Sequence, residues 1–497
     1  MNEILLGKGD QHVHLLARYG NRHGLVAGAT GTGKTASLMV MAEGFSRLGV
    51  PVFVADVKGD VAGLAVPGTS NVRITERVAQ IGITGYAHEA NPVIFWDLKG
   101  ALGHPVRTTV SEVGPTLLAR ILELNDTQAG ILEIVFKVAD DEGLLLLGLA
   151  DLRSLLNYVA ENRATISRTY GLVSPQSLAA IQRSLLALDR EGGTAFFGEP
   201  ALELTDLMRT DLTGRGIISI LAADKLILQP RLYSSFMLWL LSELFEQLPE
   251  VGDLEKPKLV FVFDEAHLLF DDAPPALRQR VEQVVRIIRS KGVGVFFCSQ
   301  FPDDVPNDIL GQLSNRVQHA LRAHTPRDQK AVRTAAETFV ANPRLDVAEV
   351  ISQLRVGEAL VSTLQESGVP MPVERTLISP PRSRMGVITA EERAAVMSRS
   401  PVGSRYETVL NRDSAHEMLE RRAAEAAATQ SQTAATKQSG RAQPAQSPQQ
   451  QGKLHEWMWG TGRRQGVVET MAKQTARTVG NQLGRQILRG VLGGMRR

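Results

Sequence analysis

The run Gly28-Ala29-Thr30-Gly31-Thr32-Gly33-Lys34-Thr35 constrains this chain more than any other stretch, because it fits G-x-x-x-x-G-K-T and its flanks are right. Leu25-Val26-Ala27 ahead of it reads as a short apolar strand, and Ala36 to Glu43 behind it has helical composition. A strand, a glycine loop and a helix in that order turn successive backbone N–H groups toward a β-phosphate. The positive end of the helix adds to the same field. Gly28 to Thr35, with Ala36 in the first helical turn, therefore form the expected nucleotide cradle. Lys34 would neutralise β- and γ-phosphate oxygens, and the Thr35 hydroxyl would ligate Mg²⁺. The expected ligands are ATP and Mg²⁺.

A second half of the site is expected far downstream. Lys258-Leu259-Val260-Phe261-Val262-Phe263 is a buried-strand run that ends in Asp264-Glu265. Such a run fits a central parallel strand, whose C-terminal end faces the ligand crevice. Asp264 would hold the metal, and Glu265 would polarise the attacking water. Gly294 to Cys298 reads as the neighbouring strand. Gln300 beyond its tip either senses the γ-phosphate or orients water, or else caps the next turn. Val50 to Asp56 reads as a further strand facing the crevice, with Asp56, Lys58 and Asp60 as supporting groups. Between the acidic strand and its neighbour, Ala276 to Lys291 is an amphipathic helix. Its Arg278, Arg286 and Arg289 form either a solvated basic face or, through Arg289, a finger on a neighbouring subunit's nucleotide.

At 497 residues and 43% apolar content the chain can bury a large core, and a net charge of +2 makes no bulk case for nucleic acid. The single cysteine, Cys298, excludes an internal disulfide. The absence of a visible signal peptide or membrane-length apolar run leads to the expectation of a cytoplasmic enzyme with no integral membrane segment. Residues 1–84 and 251–380 are expected to form the ATPase core, and 85–250 a mainly helical insertion. Within it, Val93 to Trp96 and Gly216 to Leu221 have strand character, and Arg231 to Leu248 reads as a buried helix. Residues 381–420 would extend the core. Residues 421–451, rich in Ala, Gln and Ser, are expected as a disordered linker. Residues 452–497 form a basic helical tail, with nine lysines and arginines against two glutamates and with Trp457 and Trp459. This tail suits an anionic polymer, an anionic lipid surface or a protein partner, or it associates with its own kind.

Several stretches resemble the bacterial HerA-like C-terminal-domain family, the YjgR-type proteins. They are Asn21-Arg22-His23-Gly24, Asp56-Val57-Lys58-Gly59-Asp60, Gly103 to Thr109, Leu124 to Gln128, Phe196 to Pro200, Phe263 to His267, Arg289 to Gly294 and Asn315 to Arg322. The resemblance runs to about residue 420. It implies an α/β fold with a RecA-like P-loop NTPase core and a mainly parallel sheet, within the HerA/FtsK group of ring-forming ATPases that pump DNA. It also implies that Lys34 and Thr35 are the phosphate lysine and metal hydroxyl, and that Asp264 and Glu265 are the metal and water-activating carboxylates. Gln300 would be the glutamine of the next strand. Arg289 would be the trans-acting arginine, with Arg316 and Arg322 as competitors. HerA proper carries an N-terminal β-barrel, whereas only about 20 residues stand in that place here. The function expected is Mg²⁺-dependent ATP hydrolysis by a hexameric ring that translocates or unwinds DNA. The alternatives are an ATP-dependent oligomeric switch or scaffold for a protein partner, or a plain nucleoside triphosphatase.

Overall fold

The computed structural model describes residues 2–439 apart from 271–272, 323–324 and 411. The chain divides into two units, residues 1–426 and 427–497. The first holds all the strands among the described residues: β1 (Glu3–Lys8), β2 (His12–Leu16), β3 (Gly24–Ala27), β4 (Val52–Asp56), β5 (Val93–Asp97), β6 (His104–Pro105), β7 (Ile218–Ala222), β8 (Leu259–Phe263), β9 (Val293–Ser299), β10 (Asn315–Gln318), β11 (Glu358–Ser362) and β12 (Glu374–Ile378). They form one sheet in the order β2-β1-β12-β11-β10-β3-β9-β8-β4-β7-β5-β6. From β10 to β6 every pairing is parallel. From β10 to β2 every pairing is antiparallel, so the N-terminal strands form a wing on the sheet edge. The parallel block places the ends of β3, β4, β8, β9 and β10 along one edge.

Side-chain alternation explains why these strands sit centrally. In β4 and β8, Phe53, Ala55, Leu259, Phe261 and Phe263 enter the core on one face, and Val52, Val54, Val260 and Val262 enter the core on the other. Both faces are dry, as a parallel sheet requires. The second face is covered by α1 (Lys34–Arg47), followed at the surface by α2 (Val72–Ile81). The first face carries a helical block: α3 (Val110–Ile121), α4 (Asp126–Glu142), α5 (Leu149–Glu161), α6 (Arg163–Tyr170), α7 (Pro175–Arg190) and α8 (Gly193–Phe196). The same core takes α9 (Pro230–Gln247) and α10 (Pro275–Ile287). After α11 (Asn307–Leu310), a small lobe of α12 (Pro326–Glu337) and α13 (Val347–Gln353) has its own core of Leu321, Val332, Ile351 and Leu360. The chain ends its described part in α14 (Ala390–Met397) and α15 (Ala415–Ser439). No helix among the described residues is long and apolar enough to cross a membrane.

Two expected boundaries need correction. The mainly helical insertion is narrower than 85–250, because β5 and β7 are zipped into the parallel block and α9 lies in the main core. The helical block proper spans α3 to α8. A five-residue apolar run signals a buried strand but carries no record of where in the sheet it pairs. Nor is 421–451 a linker throughout, since α15 continues to Ser439. Alanine, the strongest helix former, dominates that stretch and no glycine or proline interrupts it. The basic tail, 452–497, lies outside the described residues.

His23 ties the start of β3 to its surroundings. Its Nε2–H donates to the Val285 carbonyl at 2.8 Å, and its Nδ1 accepts from the Val295 N–H at 3.0 Å. Burial pushes its pKa down to about 4, so the neutral ring is the native form. Protonation would remove the acceptor that Val295 needs. With the folded value below the ordinary 6.5, this stabilisation is complete above pH 6.5 and is lost as pH falls toward 4. The loss is at most about 3 kcal/mol. Urea unfolding between pH 6.5 and 4 should therefore lose stability more steeply in the wild type than in His23→Gln, by the equivalent of about one proton.

Candidate active site

The phosphate loop leaves β3 and enters α1 at Lys34. Gly28 has φ 152° and Gly33 has φ 117°, both disfavoured for side-chain-bearing residues, and a Cβ at Gly28 would stand 2.5 Å from the Cβ of His319. His319 is the brace behind the loop. Its Nδ1–H donates to the Glu358 carbonyl at 3.0 Å, and its Nε2 accepts from the Ser37 hydroxyl at 2.8 Å. Burial holds its pKa down at about 4, which keeps that acceptor available. The Gly357 N–H donates to the Thr32 carbonyl at 2.9 Å, and the Ala29 N–H to the Ala320 carbonyl at 2.8 Å. The loop is thus clamped between the end of β10 and the turn before β11.

Inside the clamp, Lys34 is 6% exposed and its Nζ donates to the carbonyls of Gly28 at 2.7 Å and Ala29 at 3.2 Å. The Thr35 hydroxyl donates to Asp60 Oδ2 at 3.1 Å. Asp60 thereby joins the loop to the end of β4. Asp56, Asp60 and Asp264 each offer an oxygen, and these atoms all lie within 4.8 Å of one another. Burial raises the pKa of Asp56 to about 7, with help from Asp60 and Asp264. Burial, then the neighbouring Glu265, raises that of Asp264 to about 6. Asp56 is partly satisfied, accepting from the N–H groups of Gly59 at 2.8 Å and Val61 at 3.2 Å. Asp60 Oδ1, by contrast, is a buried acceptor with no hydrogen-bond partner. An all-oxygen set beside the Thr35 hydroxyl, with an unsatisfied acceptor in it, fits a hard divalent cation such as Mg²⁺.

Glu265 follows Asp264 with a left-handed backbone, φ 50° and ψ 54°. Few side-chain-bearing residues adopt that conformation, and here it turns the carboxylate away from the strand direction. One oxygen of Glu265 is ion-paired with Lys58 Nζ, and the other lies 3.2 Å from His267 Nδ1. Gln300 follows β9, which lies between β3 and β8, so it belongs to the same edge.

The arginines separate. Arg289 lies in the turn before β9, at the opposite edge of the sheet, 3.8 Å from Asp253. Arg316 gives its Nε to the Leu313 carbonyl at 3.0 Å and a terminal nitrogen to the Leu310 carbonyl at 2.9 Å. Arg322 stands exposed just past the end of β10, at the nucleotide edge. Of the remaining basic face on α10, Arg278 donates to the Phe270 carbonyl and Arg286 pairs with Asp308.

His319 is the structural support that periodicity and spacing do not reveal. Residues 381–420 contribute a second. Their backbone N–H groups at Arg382 and Ser383 donate to Glu43 of α1 at 2.9 and 2.8 Å, and the Gly386 N–H donates to the Asp60 carbonyl at 3.1 Å. Arg393 of α14 lies over the Phe95 ring at 4.2 Å. The segment therefore fastens both the loop helix and the Asp56–Asp60 turn.

The sequence matches the helicase HerA-like C-terminal family over residues 2–497. It is 31% identical over 131 residues to a probable helicase of Methanocaldococcus jannaschii, covering 26% of this chain and 23% of that one. It is 32% identical over 109 residues to the DNA double-strand break repair helicase HerA of Sulfurisphaera tokodaii, covering 22% and 21%. The match thus spans about a fifth to a quarter of the length of these relatives. Among solved structures, the bacterial conjugative coupling protein TrwBdeltaN70 is similar over 77% of this chain and 92% of its own, with a TM-score of 0.51 and 14% identity, a likeness of fold. With the family match running through both halves of the site, the chain belongs to the helicase HerA-like C-terminal family.

Proposed function

We propose that this chain is a Mg²⁺-dependent ATPase that assembles as a ring, a hexamer, and couples hydrolysis to movement along DNA. The observation that carries the ATPase reading is the meeting of the glycine loop, the Thr35–Asp60 contact and the Asp264–Glu265 pair at one sheet edge. Lys34 exchanges its two loop carbonyls for β- and γ-phosphate oxygens. Thr35, Asp60 and Asp264 hold Mg²⁺, which when bound neutralises charge on those oxygens. Glu265 accepts a proton from the attacking water once it is free of its ion pair with Lys58. Gln300, at the tip between the two halves, orients that water. The ring reading is supported by the arginine positions, because Arg289 at the far edge serves a nucleotide only on a neighbouring copy. Arg322 is the second finger, and Arg316 is committed to its own carbonyl partners. The DNA reading rests on the helicase relatives.

Lys34→Ala should cut ATP hydrolysis roughly 10²-fold or more and weaken nucleotide binding. Glu265→Gln should lower turnover by roughly 10²–10⁴-fold while ATP stays bound. Radiolabelled phosphate release and equilibrium binding of a fluorescent ATP analogue check both. Wild-type turnover in Glu265→Gln would remove it as the base.

For assembly and substrate, the full chain should shift to a multiple of its mass with ATP in light scattering, and DNA should stimulate its hydrolysis. Mixing Lys34→Ala with Arg289→Ala or Arg322→Ala subunits should restore part of the activity if that arginine acts across the interface. The tail gives a separate handle, since each phosphate it neutralises adds roughly 0.9 to the log–log salt slope of DNA binding. Removing residues 453–497 should flatten that slope and leave basal hydrolysis intact. Monomeric, fully active protein at every concentration would refute the ring. Hydrolysis indifferent to DNA would favour the switch or the plain triphosphatase.

A further inference from the structure

The acidic cluster is unbalanced. Asp56, Asp60, Asp264 and Glu265 bring four carboxylates to one edge, and Asp56, Asp264 and Glu265 are each less than 10% exposed. Lys34 is turned away onto the loop carbonyls. A cation at the cluster is Lys58, whose Nζ is ion-paired with Glu265 and feels the fields of Asp264 and Asp60, while Arg393 of α14 feels Asp56 from the other side. The placement is built in. Asp56 takes the N–H groups of Gly59 and Val61, closing the turn that carries Lys58, and Gly386 pins the same turn at Asp60. The Lys58 side chain is 41% exposed, so its ammonium has a path into solvent, whereas Glu265 at 5% does not.

We propose that Lys58 is a positioning residue that substitutes for the divalent cation at this cluster and holds Glu265 out of action until the metal and nucleotide arrive. The inference rests on the metal-site reading above. A metal ion at Asp60 and Asp264 makes the lysine charge redundant. Filling the site and breaking the Lys58–Glu265 pair are therefore coupled, so hydrolytic competence follows occupancy of the metal site.

The test is Mn²⁺ binding to the nucleotide-free full-length protein, read from the free-ion signal in electron paramagnetic resonance. Lys58→Gln should bind Mn²⁺ roughly fivefold more tightly than the wild type, the size expected for removing a partly exposed competing charge. Lys58→Arg should return to wild-type affinity. Lys58→Met, which keeps the chain length and discards the charge, should tighten binding in the same way if glutamine disturbs the turn. Unchanged or weaker Mn²⁺ binding in both neutral variants overturns the proposal. Asp264→Asn in the same titration separates the two levels. If it loses Mn²⁺ while the Lys58 variants do not differ from the wild type, the site stands and the lysine role falls. If Asp264→Asn binds Mn²⁺ as the wild type does, the metal-site reading falls and takes this inference with it.

Discussion

Gathering several carboxylates at the end of a buried sheet is costly, and the arrangement of this protein follows from how that cost is met. Two like charges about 4 Å apart at a protein surface repel by about 4 kcal/mol, and burial adds to this. Here the backbone meets part of it. Asp56 is solvated by two N–H groups of its own turn, and Thr35 donates to Asp60. Lys58 is ion-paired with one oxygen of Glu265, and His267 Nδ1 lies 3.2 Å from the other. What is left is the unpartnered Oδ1 of Asp60 and the raised pKa values of Asp56 and Asp264. That residue of unmet charge fits a divalent cation, and it is carried on two strand ends, those of β4 and β8, that parallel pairing brings side by side.

The loop on the other side of the site is held by shape more than by charge. Its glycines admit the backbone curvature, and His319 fills the space a side chain at Gly28 would need. Neutral His319 also bonds Ser37 in the loop helix and Glu358 at the head of β11. The small lobe of α12 and α13 is built between β10 and β11. The loop is therefore hydrogen-bonded to the base of that lobe, near Arg322. The segment 381–420 performs the matching task from the other direction, joining Glu43 in the loop helix to Asp60 in the acidic turn. Phosphate loop and metal turn are thereby fixed to each other by elements remote in sequence.

The groups of the candidate site were legible in the sequence because each half of it is local. The loop Gly28 to Thr35 and the pair Asp264-Glu265 each depend on spacing along one strand–loop unit, and periodicity located the strands that carry them. Strand order was less legible. β5 and β7 read as strands but not as members of the central sheet, since a short apolar run looks the same in an insertion as in a core. The lysine–glutamate pair could not be read at all, because Lys58 and Glu265 come together only through the parallel pairing of β4 with β8. Ala-rich residues 421–439 misled for a different reason. Few apolar side chains suggest disorder, whereas helix propensity alone favours α15.

The stretches that carry the family resemblance divide by what they do. Asn125 and Gln128, in Leu124 to Gln128, cap α4 through reciprocal hydrogen bonds at 3.0 and 3.2 Å, and Thr109 with Glu112 does the same for α3. Phe196 and Phe197 are core aromatics. Asn21 to Gly24 holds His23 against β9, and Arg316 closes the turn after α11. These are devices for placing the sheet and its helices. Arg289 to Gly294 leads into β9 at the opposite edge, and the two remaining stretches, Asp56 to Asp60 and Phe263 to His267, hold groups that touch the site. Of these groups, Lys58 and His267 act on Glu265 and not on a phosphate. The phosphate loop is a pattern shared by many nucleotide-binding proteins. On the proposed reading, what would set this site apart is Lys58, the cation paired with the proposed base when there is nothing to hydrolyse.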